Sequence, residues 1–145
     1  MKKLILSILM MLIPVFCYAG SITISGGADS KYEICFIING GGSAITTGEQ
    51  QWIRAANTFT IGGMDITGDQ SGSCVVDIWK DTYANYPPTV ADTITASAKP
   101  TLSTAIKNQD TTLTGWTTTV TAGDYLMLNV DSCATVEKLE VCIYE

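Results

Sequence analysis

The chain has 145 residues, 46% hydrophobic and 15% charged, a balance that excludes a disordered tail or a coiled coil and suits a domain with its own core. Histidine is absent, which excludes every mechanism that needs an imidazole base and most catalytic zinc sites. The formal charge of −6 becomes −8 if Lys2 and Lys3 leave with a leader, so no basic patch is available for phosphates and no nucleic-acid partner is expected.

Lys2 and Lys3 precede an apolar run from Leu4 to Phe16, interrupted by Ser7, and Cys17-Tyr18-Ala19 before Gly20 offers small residues at the cleavage-determining positions. This pattern predicts a Sec-type signal peptide over residues 1–19 and a single domain over 20–145. The apolar run is shorter than the roughly 20 residues needed to span a bilayer and contains Pro14, so no transmembrane anchor is expected after cleavage. The product is then periplasmic, cell-surface or extracellular, virion association included.

Past the leader there is no helical periodicity. Thr, Val, Ile and aromatic residues fall in short runs punctuated by Gly, Asn, Asp and Pro, which predicts strands near Ser21–Ser25, Tyr32–Ile38, Gln50–Ala55 and Thr58–Ile66. Gly40-Gly41-Gly42 ends the second of these in a flexible turn. Asp69-Gln70-Ser71-Gly72-Ser73 reads as a further turn before a strand at Cys74–Lys80. Asp81 to Asp110, with Pro87, Pro88 and Pro100, reads as a long ordered excursion of the kind that often carries function. Strands follow at Thr112–Val120, Tyr125–Val130 and Val136–Tyr144, the first two joined by a hairpin turn at Ala122-Gly123-Asp124. About eight strands predict an all-β, antiparallel sandwich or jelly-roll-like fold.

Loss of Cys17 with the leader leaves four cysteines, an even number that reads as two disulfides in an exported chain. Cys35 shares its strand face with Lys31 and Glu33, and Cys142 shares its own with Lys138, Glu140 and Tyr144, so parity points both outward. Terminal strands of sandwiches are often neighbours, which pairs Cys35 with Cys142 and leaves Cys74 with Cys133 by elimination. Zinc is not expected, since the two nearest cysteines, Cys133 and Cys142, are nine residues apart and no His completes a site.

From Asp69 the chain runs DQSGSCVVDIWKDTYANYPPTVADTITASAKPTLSTAIKNQDTTLTGWTTTVTAGDYLMLNVDS to Ser132. This stretch, about half of the mature chain, resembles a β-sandwich domain recurrent in virion and tail-associated proteins of tailed bacteriophages. The DIWKDTYANYPPT loop, the KPT turn, the TGW strand and the AGD hairpin occur in the same order and at similar spacing; the segment Ile37–Ile66 resembles the same domain more loosely. The resemblance implies a non-enzymatic module displayed on a phage particle or surface, without catalytic or ligand residues to carry over. Members usually have an apolar residue where Cys74 stands, lack the other three cysteines and carry no leader.

Among candidate binding residues, Trp79, Tyr83 and Tyr86 gather at a strand end and the Pro-Pro loop beside Asp77, Asp81 and Asn85. Exposed rings stack on sugars while oriented polar groups bond hydroxyls. The plain alternative packs Trp79 under the loop. Trp116 reads as a core anchor. Asp65, Asp69, Asp77 and Asp81 fit no EF-hand spacing, so bound calcium is not expected, nor any other metal or cofactor. The expected function is a non-enzymatic, exported attachment module of phage or prophage origin, with cell-surface polysaccharide or virion and tail proteins as partners and self-association permitted. The alternatives are a fimbrial subunit assembled by strand donation and a carbohydrate-binding module of a secreted degradative system.

Overall fold

β-branched and aromatic residues at alternate positions extend the backbone into strands that each bury one face. The computed structural model describes residues 31–145, so the predicted leader and the predicted strand Ser21–Ser25 lie outside the described residues. Among the described residues eight strands form: β1 (Glu33–Asn39), β2 (Gln50–Arg54), β3 (Phe59–Thr60), β4 (Gly63–Asp81), β5 (Thr101–Asp110), β6 (Thr119–Val120), β7 (Tyr125–Ala134) and β8 (Lys138–Tyr144). Among the described residues the helical elements are two 3₁₀ turns, Tyr83–Asn85 and Val90–Asp92. The fold is all-β and antiparallel, as the sequence predicts.

The organising element is β4, a 19-residue strand at the centre of a six-stranded sheet ordered β1-β8-β4-β7-β2, with β5 on the remaining edge of β4. β8 pairs with its first half and β7 with its second, in one continuing register from Ser73↔Ala134 to Gly68↔Leu139. β7 and β8 therefore behave as one long strand bent at Thr135, whose φ of 69° breaks the extended path. Three residues of the Asp69–Ser73 stretch fit this bend. The Asp69 carboxylate accepts the Glu137 and Lys138 N–H groups at 3.0 and 3.1 Å. A Cβ on Gly72 would lie 2.6 Å from the Ala134 carbonyl oxygen, so only glycine lets the junction approach so closely. Gln70 Nε2 donates to the Thr135 carbonyl at 2.6 Å.

One face of the sheet is apolar over most of its extent, with Gln51 and Lys80 at the β2 end. Phe36, Ile66, Ile78, Leu128, Val141 and Ile143 are among the buried side chains that converge on a single core. Each contributes roughly 1.5–3 kcal/mol relative to exposure. The two-stranded sheet of β3 and β6 adds Phe59 and Val120 to that core. Trp116 packs there too, its indole N–H donating to the Ala98 carbonyl at 2.8 Å, as expected of an anchor.

Both expected disulfides are present. Cys35 stands directly opposite Cys142 across β1 and β8, and Cys74 opposite Cys133 across β4 and β7. The first pair lies on the sheet's outer face, as parity requires, although neighbouring side chains leave Cys142 largely buried. Two disulfides fit an oxidising compartment. Among the described residues no helix is long and apolar enough to cross a membrane.

Four local expectations are corrected. Asp69–Ser73 is not a turn but a bulged stretch inside β4, where the register with β5 shifts around Gly72. The predicted Thr58–Ile66 strand divides at Ile61-Gly62, because Phe59–Thr60 pairs with β6 while the Gly62 N–H reaches the Tyr144 carbonyl. The predicted Thr112–Val120 strand shortens to β6, since Leu113 and Gly115 adopt φ of 48° and 78° and turn the chain. Thr121–Asp124 is a turn, closed by Asp124 N–H to Thr121 C=O at 3.0 Å, but it joins strands of different sheets and so makes no hairpin. The excursion from Asp81 to Asp110 contains the edge strand β5.

Candidate functional site

The outer face of the β2-β7-β4 end carries three cross-strand rows set by register. They are Gln50, Asn129 and Asp77; Trp52, Met127 and Trp79; and Arg54, Tyr125 and Asp81. Thr93 extends the middle row by a bridge to Trp79.

The first row belongs to a polar network that runs from buried Asp77 out to exposed Gln50. Asp77 is 1% exposed, and its Oδ1 accepts the Thr93 and Thr95 hydroxyls, both at 2.7 Å. Its Oδ2 lies 3.0 Å from Lys99 Nζ as an ion pair, off the line of a hydrogen bond. Lys99 also meets Asp131 at 2.7 Å, Asp131 accepts from Asn129 at 2.8 Å, and Asn129 accepts from Gln50 at 2.9 Å. Burial pushes the Asp77 carboxyl up, but the Thr93 and Thr95 hydroxyls and Lys99 outweigh it and hold it below the usual carboxylate range. Lys99 is held above the usual ammonium range, chiefly by Asp131 and further by Asp77. The network fastens residues 93–99 onto β4 and β7.

The other two rows build an aromatic surface. Tyr125 is its hub: the Tyr86 ring meets it edge-on at 4.9 Å and the Tyr83 ring lies 6.1 Å away. Tyr83 is 77% exposed, Tyr86 41% and Trp52 56%, large values for rings when most apolar side chains among the described residues are buried. The residues named from sequence thus divide. Tyr83 and Tyr86 are exposed, as a ligand surface needs. Trp79 is 9% exposed and Asp77 is buried, so neither presents a face to a ligand, and the plain packing alternative holds for Trp79. Asp81 and Asn85 serve the loop itself: Asp81 Oδ1 accepts the Thr82 N–H at 2.6 Å and the Asn85 amide at 3.2 Å. These donors, the Thr82 N–H first, hold the Asp81 carboxyl below its usual range.

Sequence reasoning missed Trp52, Arg54 and Tyr125. Their signal was the alternation Gln50, Trp52, Arg54, which places both larger side chains on one face of β2, but only the register with β7 brings that face beside the Pro-Pro loop.

Away from this surface, a concavity of ≈ 470 Å³ crosses the outer face of β1, β8 and β4 and is lined by Glu33, Cys35, Ile37, Asp65, Thr67, Glu140 and Cys142. Glu33 lies beside Cys35 and Cys142, but both sulfurs are consumed by their disulfide, so the group presents one carboxylate and no metal-ligand set. The four aspartates weighed for calcium have separate partners: Tyr144 Oη for Asp65, backbone N–H groups for Asp69, the network for Asp77 and its own loop for Asp81. Comparison with family models, with curated proteins and with solved structures finds no match.

Proposed function

We propose that this chain is an exported, non-enzymatic attachment module of phage or prophage origin that holds cell-surface glycans on the surface formed by Trp52, Tyr83, Tyr86 and Tyr125. The observation that carries the reading is the exposure of Trp52, Tyr83 and Tyr86 around half-buried Tyr125, on β2, β7 and the loop between β4 and Val90. Flat rings supply apolar area to the C–H faces of a sugar at low entropic cost, since each has two torsions to fix. The resemblance of Asp69–Ser132 to phage virion and tail domains supports the attachment context, and the two disulfides support an extracytoplasmic setting. A carbohydrate-binding module of a secreted degradative system would use the same surface; neighbouring hydrolase genes would favour it, and neighbouring tail or capsid genes the phage reading.

The test is a glycan array with the purified exported protein and its Tyr83→Ala/Tyr86→Ala variant. The reading expects discrete glycan hits that fall at least tenfold in the variant, with a thermal midpoint close to that of the parent. Unchanged binding per folded molecule would show that the tyrosines are structural.

A further inference from the structure

The same aromatic surface contains one cation, and its surroundings leave that cation uncommitted. Arg54 ends β2 directly opposite Tyr125, the hub of the cluster. It is exposed, and it joins none of the ion pairs found among the described residues. Its Nη2 lies 3.5 Å from where a Cβ would stand on Gly123, so the guanidinium rests over the turn that starts β7, where glycine leaves it open space.

Three carboxylates of this end of the fold have internal partners. Asp124, in that turn, accepts from Lys80 at 3.2 Å and from the Thr121 N–H at 2.9 Å. Asp81, which completes the Arg54 and Tyr125 row, accepts from Thr82 and Asn85. Asp92, at the end of the second 3₁₀ turn, accepts the Thr89 N–H and hydroxyl, both at 2.8 Å. Internal donors thus engage one oxygen of each of these acids, while the arginine joins no ion pair and keeps its five N–H donors for something else.

Resting on the glycan reading above, we infer that the ligand is a saccharide bearing a carboxylate, a uronic- or sialic-type acid, with Arg54 as the specificity-determining residue. The guanidinium fork pairs with a planar carboxylate through two parallel N–H···O bonds, while Tyr125 and Tyr86 on one side and Trp52 on the other meet the ring faces. The chain's net negative charge opposes a polyanion at long range. At physiological ionic strength that repulsion fades over a Debye length of about 8 Å, and the short-range fork decides.

The experiment measures binding of the parent, Arg54→Gln and Arg54→Lys to immobilised polygalacturonate, hyaluronate and polysialate, each beside its carboxyl-reduced counterpart, at about 0.15 M salt. At least one acidic polymer should bind tenfold or more tightly than its reduced form. Arg54→Gln should abolish that preference, bringing acidic and reduced forms to equal binding, and Arg54→Lys should restore only part of it, since a point charge lacks the fork. Equal binding of acidic and reduced forms, or a preference that survives Arg54→Gln, overturns the inference. In that case Tyr83→Ala/Tyr86→Ala still weakens binding if the glycan reading itself is sound. No binding to any polymer or array glycan overturns both.

Discussion

Asp77 illustrates how one residue type can serve two purposes in neighbouring positions. Asp77 and Asp81 both point to the outer face of β4, yet Asp77 is sealed under residues 93–99 and Asp81 organises its own loop. Replacing Asp77 by Asn keeps an acceptor for the threonine hydroxyls but leaves Lys99 with Asp131 alone. We expect a loss of about 2–3 kcal/mol, below the cost of orphaning a fully buried charge because Lys99 retains a partner and some solvent. Urea unfolding of the two proteins at pH 7 measures it. The pH dependence follows from the same shifts. The folded-state pKa of Asp77 is lowered, so its contribution is complete above the unfolded value of about 3.9 and is lost as pH falls through the lower folded value. Lys99 has a raised folded-state pKa, so its contribution is complete below about 10.4 and disappears only as pH rises through the higher folded value. The Asp77→Asn variant should therefore show a flatter acid limb in a plot of stability against pH. An acid limb identical to the parent's would remove Asp77 as its cause.

At the scale of elements, the bend shared by β4 and the β7–β8 junction decides the shape of the main sheet. Gly72→Ala would place a methyl group 2.5–2.6 Å from Thr135 Oγ1, the Ala134 carbonyl and Val136 Cγ2, and one of these neighbours is backbone that cannot turn away. The expected cost is about 1–3 kcal/mol, read as a shift in denaturant midpoint at constant slope. An unchanged midpoint would mean the junction is not tightly packed. The same region shows why part of the fold was legible in the sequence and part was not. The strands with clean alternation, such as Ile34, Phe36 and Ile38 or Leu139, Val141 and Ile143, announce themselves because one face meets the core. Asp69–Ser73 has the composition of a turn, and a bulge in the middle of a strand uses the same residues for the same local reason, a need for a close approach and side-chain acceptors. β5 escaped notice because it is an edge strand that commits Leu102 to the core and leaves most other positions outside, which removes the period of two. For the candidate surface, Tyr83 and Tyr86 are local to one loop and could be read from it. Trp52 and Tyr125 join them only through a pairing between segments far apart in the chain.

For the molecule as a whole, stability is shared between one continuous core and two covalent links that span it. The Cys35–Cys142 bond closes a sequence separation of 107 residues, and the chain-entropy model, itself disputed, assigns a loop of that size roughly 4–5 kcal/mol. Each bond joins a buried to a half-buried cysteine, but the first lines an open concavity on the outer face, whereas Cys74 of the second is the more deeply enclosed, within the core. Mild reductant should open Cys35–Cys142 first, with a large drop in thermal midpoint at that step, followed by peptide mapping of alkylated cysteines. Alkylation of Cys74 and Cys133 first would contradict this order.

The attachment reading rests on one face of the molecule, so the direct measurement is to watch every face at once. Two-dimensional NMR of the labelled exported protein, titrated with the best glycan from the array, reports each backbone amide and indole N–H separately. The account predicts shift changes concentrated on Trp52, Arg54, Tyr83, Tyr86 and Tyr125, with the groove around Glu33, Asp65 and Glu140 unaffected. Changes confined to that groove would contradict it.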